Sequence, residues 1–490
     1  MPAGFTGADF YYILPEIVLT AGALLVLVLD LFKSDREDLA LPATLGVLAI
    51  TAAVLWSFSG TDTLASRGLL SIDGFSLFFK FVFLLAAAVT ALMSDAYLRI
   101  EGMRGGEYYF LILCATVGMM FMASGVDLIT LFIGLETMAV SFYVLAGYLK
   151  PSQRSNEAAV KYYLLGAFST GILLYGMSLL YAVSGSTNLA VIAQATTSQP
   201  DGVLVLAVIL VAAGMGFKIA AVPFHMWSPD VYEGAPTPVT AYLSVGSKAA
   251  AFAMLLRIFV EGLPEVSATW HEIFWWMAVL TMTVGNLAAI TQSNTKRMLA
   301  YSSIAHSGYM LIGVVAATQR GVTAALVYLF VYVFMQLGAF AIVALLRRKD
   351  VIGDELKDLS GLYFRSPFAA VAMLVFMLSL GGIPPTAGFM GKFWIFSAAI
   401  DSGEISLAVV GVVNSAISLY YYFRVIVFMW IKEEVVGSDL VFGRAITAAL
   451  VVCLVGSAIF GVYPQPVFDR AQSAAQTLGA ATTSSPAAFR

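Results

Sequence analysis

The chain predicts an all-α polytopic membrane protein with about fourteen transmembrane helices. Three observations carry that expectation. Mean hydropathy is +0.88, and only 11% of the 490 residues are charged, against about 25% in soluble domains. Apolar runs recur from end to end, and a helix needs about 20 such residues to cross the bilayer core. Polar, glycine or proline breaks separate the runs.

The spans fall near 11–32, 40–59, 72–98, 107–124, 126–149, 157–183, 202–232, 238–260, 271–293, 296–317, 321–346, 367–400, 404–431 and 444–463. Two are too long for one straight helix. The seventh holds KIAAVPFHMWSPD, with Pro223 and Pro229. The twelfth holds LGGIPPTAGFMGKFW, with Gly381, Gly382, Pro384, Pro385 and Gly388. Proline removes a backbone donor and clashes with the preceding turn, so helices 7 and 12 are predicted to be discontinuous.

Charge placement sets the orientation. Loops after odd-numbered spans hold fifteen Lys or Arg residues, including Lys33, Arg36, Arg104, Lys296, Arg348 and Lys349; the opposite side holds four, including Arg490. Positive charge favours the cytoplasm, which places both termini outside it. Spans 4–8 and 9–13 form two blocks of five with the fourth helix broken in each. Five is odd, so the second block runs inverted relative to the first, the arrangement of many transporters. The expected division is 1–106 (helices 1–3), 107–260 (first repeat), 261–431 (inverted repeat) and 432–490 (helix 14 and C-terminal tail).

Ionisable groups inside the spans are the candidate functional residues. A charge at the bilayer centre costs roughly 2.5–3.5 kcal/mol on insertion scales, and such groups mark ion or proton paths by default. Lys218 lies just before the first break, Lys392 just after the second. Lys248 falls ten residues into its span, about 15 Å at 1.5 Å per residue. Glu136 is at similar depth in LFIGLETMAVSFY. Burial disfavours the charged form of an ammonium and a neighbouring carboxylate favours it, so Glu136 and Lys218 at adjustable separation would make a proton switch. Lys248, Lys161, His225 and His306 would relay, histidine because its unperturbed pKa lies near 6.5. Other readings stand beside these. Lys161 follows Glu157 by four residues, which also reads as a helix-face ion pair. His225 also reads as a hydrogen-bonder at the helix break, and His306 as a helix–helix contact. Lys80 reads as snorkelling, Arg257 and Arg424 as anchors at span ends, and His271 as an interfacial residue in an aromatic belt with Trp270, Trp275 and Trp276.

Several classes are excluded. Cys114 and Cys453 lie in apolar runs and read as small buried hydrophobes. No spacing suits an iron–sulfur, zinc or haem site, and no Rossmann fingerprint is present. No cofactor or metal is expected on this chain, and no nucleic acid. The partner that composition demands is the lipid bilayer. The start of the sequence is acidic before its first apolar run, so no cleavable signal peptide is expected.

The stretch FKIAAVPFHMWSPDVYEGAPTPVTAYLSVGSKAA resembles the signature of the antiporter-like membrane subunits of respiratory complex I. TKRMLAYSSIAHSGYMLIG and LGGIPPTAGFMGKFW look like that family's tenth and twelfth helices. The likeness extends over nearly the whole chain. LPEIVL and Lys392 are similar to the N-type branch; the M-type has glutamate at that place, and the L-type has a long lateral helix after its fourteenth span. The resemblance implies a proton-translocating subunit of NADH:quinone oxidoreductase with no redox centre of its own. NADH, FMN, iron–sulfur clusters and quinone would be bound by partner subunits. It implies M-type and K-type neighbours and a bacterial inner membrane with periplasmic termini. Carried over by position, Glu136 and Lys218 would be the switch pair, Lys248 the central relay, and Lys392 the group exchanging protons with the far side; Lys161, His225 and His306 also match. The competing functions are a subunit of a multisubunit cation/proton antiporter and a passive scaffold.

Overall fold

The computed structural model describes residues 7–31, 39–103, 105–196, 200–347, 353–432, 440 and 442–478. Lys33, Arg36, Arg104, Arg348, Lys349 and Arg490, and residues 479–490 of the C-terminal segment, lie outside the described residues.

Among the described residues, twelve helices are long and apolar enough to cross a membrane. Two shorter apolar helices, Gly202–Lys218 and Pro367–Gly381, stand where the seventh and twelfth spans are expected. The chain is therefore a mostly helical, polytopic membrane protein. Each shorter helix stops at a non-helical stretch, after which the chain resumes as Trp227–Gly234 or Ala387–Asp401. Ala220 (φ 55°) and Gly382 (φ 80°) take left-handed backbone there, which ends a right-handed helix.

Helix starts follow local chemistry. The Asp73 carboxylate accepts from the Ser76 amide at 2.7 Å and the Ser76 hydroxyl accepts from the Asp73 amide at 3.1 Å, a capping box opening Gly74–Ile100. Asp127 caps Leu128–Ala146 and Asn294 caps Thr295–Val315. These side chains satisfy amides that have no partner within the helix.

Three helices form the centre. Thr237–Glu261, Thr295–Val315 and Gln319–Leu345 are each almost wholly buried, whereas Leu14–Leu31, Ala40–Ser57 and Arg444–Val462 are about one-third buried. The first of these contains two π-helical segments, Leu243–Ser247 and Arg257–Glu261, on either side of the α-helical Lys248–Leu256. Elsewhere small residues bring backbones together. A Cβ at Gly118 would meet the Gly134 carbonyl and the Met138 amide, so Gly106–Ser124 and Leu128–Ala146 touch main chain to main chain, as helices in lipid commonly do.

Two elements depart from the expectation. A short antiparallel hairpin, Thr63–Ala65 with Leu70–Ile72, precedes the third span. Three-residue strands are too short to show alternation, so the all-α expectation misses them. Gln465–Thr477 is a helix where the sequence suggests only a tail. It packs on Gly74–Ile100, and the Phe75 amide donates to the Thr477 hydroxyl at 3.0 Å.

Candidate functional site

Lys248 begins the α-helical stretch between the two π segments and is 3% exposed. Its ammonium donates to the Ser303 carbonyl and, at 2.6 Å, to the Ser303 hydroxyl. It also lies 5.7 Å from the centre of the Tyr332 ring. One turn along from Ser303, His306 is wholly buried. Its Nδ1 sits 2.7 Å from the Tyr328 hydroxyl and its Nε2 3.1 Å from the Tyr422 hydroxyl. A neutral imidazole has one donor and one acceptor nitrogen, so one tyrosine gives a hydrogen bond and the other receives one. Tyr422 also shares a 2.5 Å hydrogen bond with Ser302. The His306 ring also lies 5.7 Å from the Tyr309 ring.

Lys392 follows the second break. Its ammonium donates to the Gly381 carbonyl at 3.0 Å and the Ser415 hydroxyl at 2.8 Å, and lies 4.9 Å from the Tyr309 ring centre. Gly381 ends the Pro367–Gly381 helix, so the lysine meets a carbonyl that the break leaves free. A cavity of about 440 Å³ lies against Lys392, Ser415 and Gly382. Thus Lys248, Ser303, His306, Tyr328, Tyr422 and Lys392 form a row of buried polar side chains.

The other half of the expected site is looser. Lys218 is the last residue of Gly202–Lys218 and is buried. No ion pair joins it to Glu136 among the described residues. Glu136 instead accepts from the Thr170 hydroxyl at 3.0 Å, with Tyr143 close by. The first break is braced from the other half. The Ser307 hydroxyl donates to the Ile219 carbonyl at 2.7 Å and the Val222 amide to the Thr281 hydroxyl at 2.9 Å. His225 is half-buried, with a buried Nδ1 that has no hydrogen-bond partner; among the described residues no contact ties it to the lysines.

Lys161 sits apart. It is 42% exposed and pairs with Glu157 at 2.8 Å and Asp230 at 2.9 Å. Asp230 also holds Arg297 at 2.7 Å. A polar cleft of about 180 Å³ lies at this cluster.

Three charged groups and one tryptophan depart from the sequence reading. Lys80 does not snorkel: it is 1% exposed, 2.6 Å from the Glu16 carboxylate, because a buried partner lies on another helix. Arg257 is no surface anchor. It is fully buried, 2.6 Å from Asp73 and 2.8 Å from Glu261, and its Nε donates to the Ala123 carbonyl at 3.2 Å. Lys296, counted with the loop charges, is buried and donates to the Glu233 and Ala235 carbonyls at 2.8 and 2.6 Å, closing the end of Trp227–Gly234. Trp270 is buried and donates to the Leu263 carbonyl, so it leaves the aromatic belt, whereas Trp276 is exposed. His271 lies 3.0 Å from Glu404. Arg424 reaches the Ile290 carbonyl at 2.8 Å and also the Gln292 carbonyl, so it holds a helix end.

Comparison with known proteins identifies the family. Residues 125–418 match the family described as NADH:quinone oxidoreductase/Mrp antiporter, TM. NADH-quinone oxidoreductase subunit N 2 of Solibacter usitatus is 46% identical over 485 residues, covering 96% of this chain and 98% of that protein. A chain in the structure of respiratory complex I from Thermus thermophilus with bound aureothin superposes with a TM-score of 0.80 at 34% identity, over 93% of this chain and 98% of that one. A chain of the Mrp complex from Dietzia sp. shares the fold, with a TM-score of 0.84 at 24% identity, covering 97% and 98% of the two chains. The chain belongs to the NADH-quinone oxidoreductase subunit N family.

Proposed function

We propose that this membrane subunit of NADH-quinone oxidoreductase translocates protons along the buried polar row, coupled to quinone reduction elsewhere in the complex. The observation that carries the reading is the row itself. Lys248 and Lys392 are held at either end, with His306 and two tyrosine hydroxyls between them, and each of these side chains is buried. Each group both accepts and donates a proton in some state, and an intramembrane row of such groups is otherwise costly to build.

In this reading the two broken segments are the seventh and twelfth of fourteen spans, and 107–260 and 261–431 are inverted repeats. Their free carbonyls lie beside protein or water, where broken backbone is tolerated. Glu136 and Lys218 form the switch. With the carboxylate held by Thr170 the ammonium lacks its partner; approach of the two would draw a proton onto Lys218. His225, at the break, and Lys161, in its cleft with Asp230, would serve the cytoplasmic side. The chain would sit in a bacterial inner membrane with periplasmic termini. M-type and K-type subunits would be its neighbours, and NADH, FMN, iron–sulfur clusters and quinone would stay on partner subunits.

The test compares Lys248→Met and Lys392→Met in an assembled complex. Each is expected to lower proton translocation and coupled NADH:quinone turnover about tenfold or more, since a positioned proton-transfer group contributes about 10² or more to its step. A normal proton-per-electron ratio and turnover in both would leave the chain a scaffold. Na⁺-dependent exchange without quinone-linked activity would make it an antiporter subunit.

A further inference from the structure

A groove of about 670 Å³ opens on the outer face of the molecule between Ala40–Ser57, Gly74–Ile100, Gln319–Leu345, Arg444–Val462 and the Gln465–Thr477 helix. Its size is that of a small-molecule site. The wall is apolar and largely aromatic. Phe330 lies 6.2 Å from Phe78 and 5.1 Å from Phe460, and Trp56 lies 6.4 Å from Phe81.

The groove has a direction. Along Gly74–Ile100 its lining runs from Gly74 to Leu85, about 16 Å at 1.5 Å per residue. From Gln319–Leu345 only Phe330 lines it, so the Gly74–Leu85 run sets its depth. That is half of the ~30 Å hydrocarbon core, the thickness of one leaflet. The polar lining collects at the other end, where Gly74 starts its helix and Val462 ends one. Asp62, Arg470 and Ser473 stand there. Asp62 and Arg470 are both exposed, and neither makes an ion pair or hydrogen bond with another described residue.

A groove one leaflet deep, apolar below and carrying at its mouth a cation and an anion that no other described residue pairs, suits one kind of molecule. We propose that it holds a zwitterionic aminophospholipid of the leaflet on the Asp62 side. One acyl chain lies along Phe78, Phe81 and Phe330; the phosphate meets Arg470 and the headgroup ammonium meets Asp62. An anionic lipid without the ammonium would set its phosphate against the Asp62 carboxylate and gain only half of this complementarity. A helix of a neighbouring subunit would need no charge pair at that spacing.

The probe is phosphatidylethanolamine, with phosphatidylglycerol as the contrast. The intact complex is extracted in mild detergent and its retained lipid measured by native mass spectrometry. A photoreactive phenylalanine analogue at position 81 is cross-linked in native membranes. The expected adduct on this chain has the mass of phosphatidylethanolamine. Arg470→Gln is expected to lower its retention about tenfold, the loss of one charge-assisted contact. Asp62→Asn is expected to shift preference toward phosphatidylglycerol. Leu85→Trp, which fills the deep end and leaves the mouth intact, is expected to displace the lipid. A cross-link from position 81 to another protein, or retention unchanged in both Arg470→Gln and Leu85→Trp, overturns the proposal.

Discussion

Arg257 sits buried between two carboxylates. Removing its guanidinium leaves Asp73 and Glu261 buried without a counter-charge, a loss of about 3–5 kcal/mol for a broken buried pair. Arg257→Met is therefore expected to lower the thermal midpoint of the purified complex sharply. Adding Asp73→Asn and Glu261→Gln to it is expected to recover much of the loss, because no charge then remains buried. A single variant as stable as the parent would show that the triad is not holding these segments. Not every residue of this kind is legible in the sequence. Lys218, Lys248 and Lys392 stand out because a charge in an apolar run has an evident cost. Ser303, Tyr328 and Tyr422 do not, since a hydroxyl in a membrane helix is common and its partner lies on a distant span. The same distance hides the Glu16–Lys80 pair.

The helices differ in what their residues announce. The two breaks are legible because proline and glycine act locally, through one missing donor and one permissive φ. The π segments are not: RIFVE holds neither proline nor glycine, and the one glycine of LSVGS, Gly246, does not set it apart from the glycines of ordinary helices. Helix contacts made by glycine lie between these extremes. Gly118 and Gly134 are visible in the sequence, but their meeting across two helices is not. Gly118→Val forces a branched side chain into the Gly134 carbonyl and the Met138 amide. Overpacking of this sort costs about 1–3 kcal/mol. The expected result is a lower yield of assembled complex and a lower midpoint, with the exposed Gly171→Val as the unaffected control, since a Cβ there meets nothing.

Across the molecule, the loop charges predict sidedness even though Lys296, once counted among them, is buried. Enough of the remainder sits at helix ends for the bias to survive one misplaced residue. In a background with Cys114 and Cys453 replaced, a single cysteine at Asn156 is expected to react with an impermeant thiol reagent only in inside-out vesicles. One at Gln319 is expected to react in right-side-out vesicles. Both positions are exposed, and the opposite pattern would invert the topology. The central position of Thr295–Val315 also bears on how the chain enters the membrane during synthesis. It is the least apolar of the membrane-crossing helices, yet almost wholly enclosed by its neighbours in the finished fold. A segment with Lys296, Arg297, three serines and His306 has little drive to leave the translocon alone. Its long contact with Ser267–Ile290 supplies a partner already made when it emerges. Residues 295–315 placed alone in a host protein are expected to insert poorly, and residues 267–315 to insert as a hairpin, read by glycosylation of tags on either side. Biogenesis would then depend on order: the polar row is carried into the bilayer by the apolar helix made just before it.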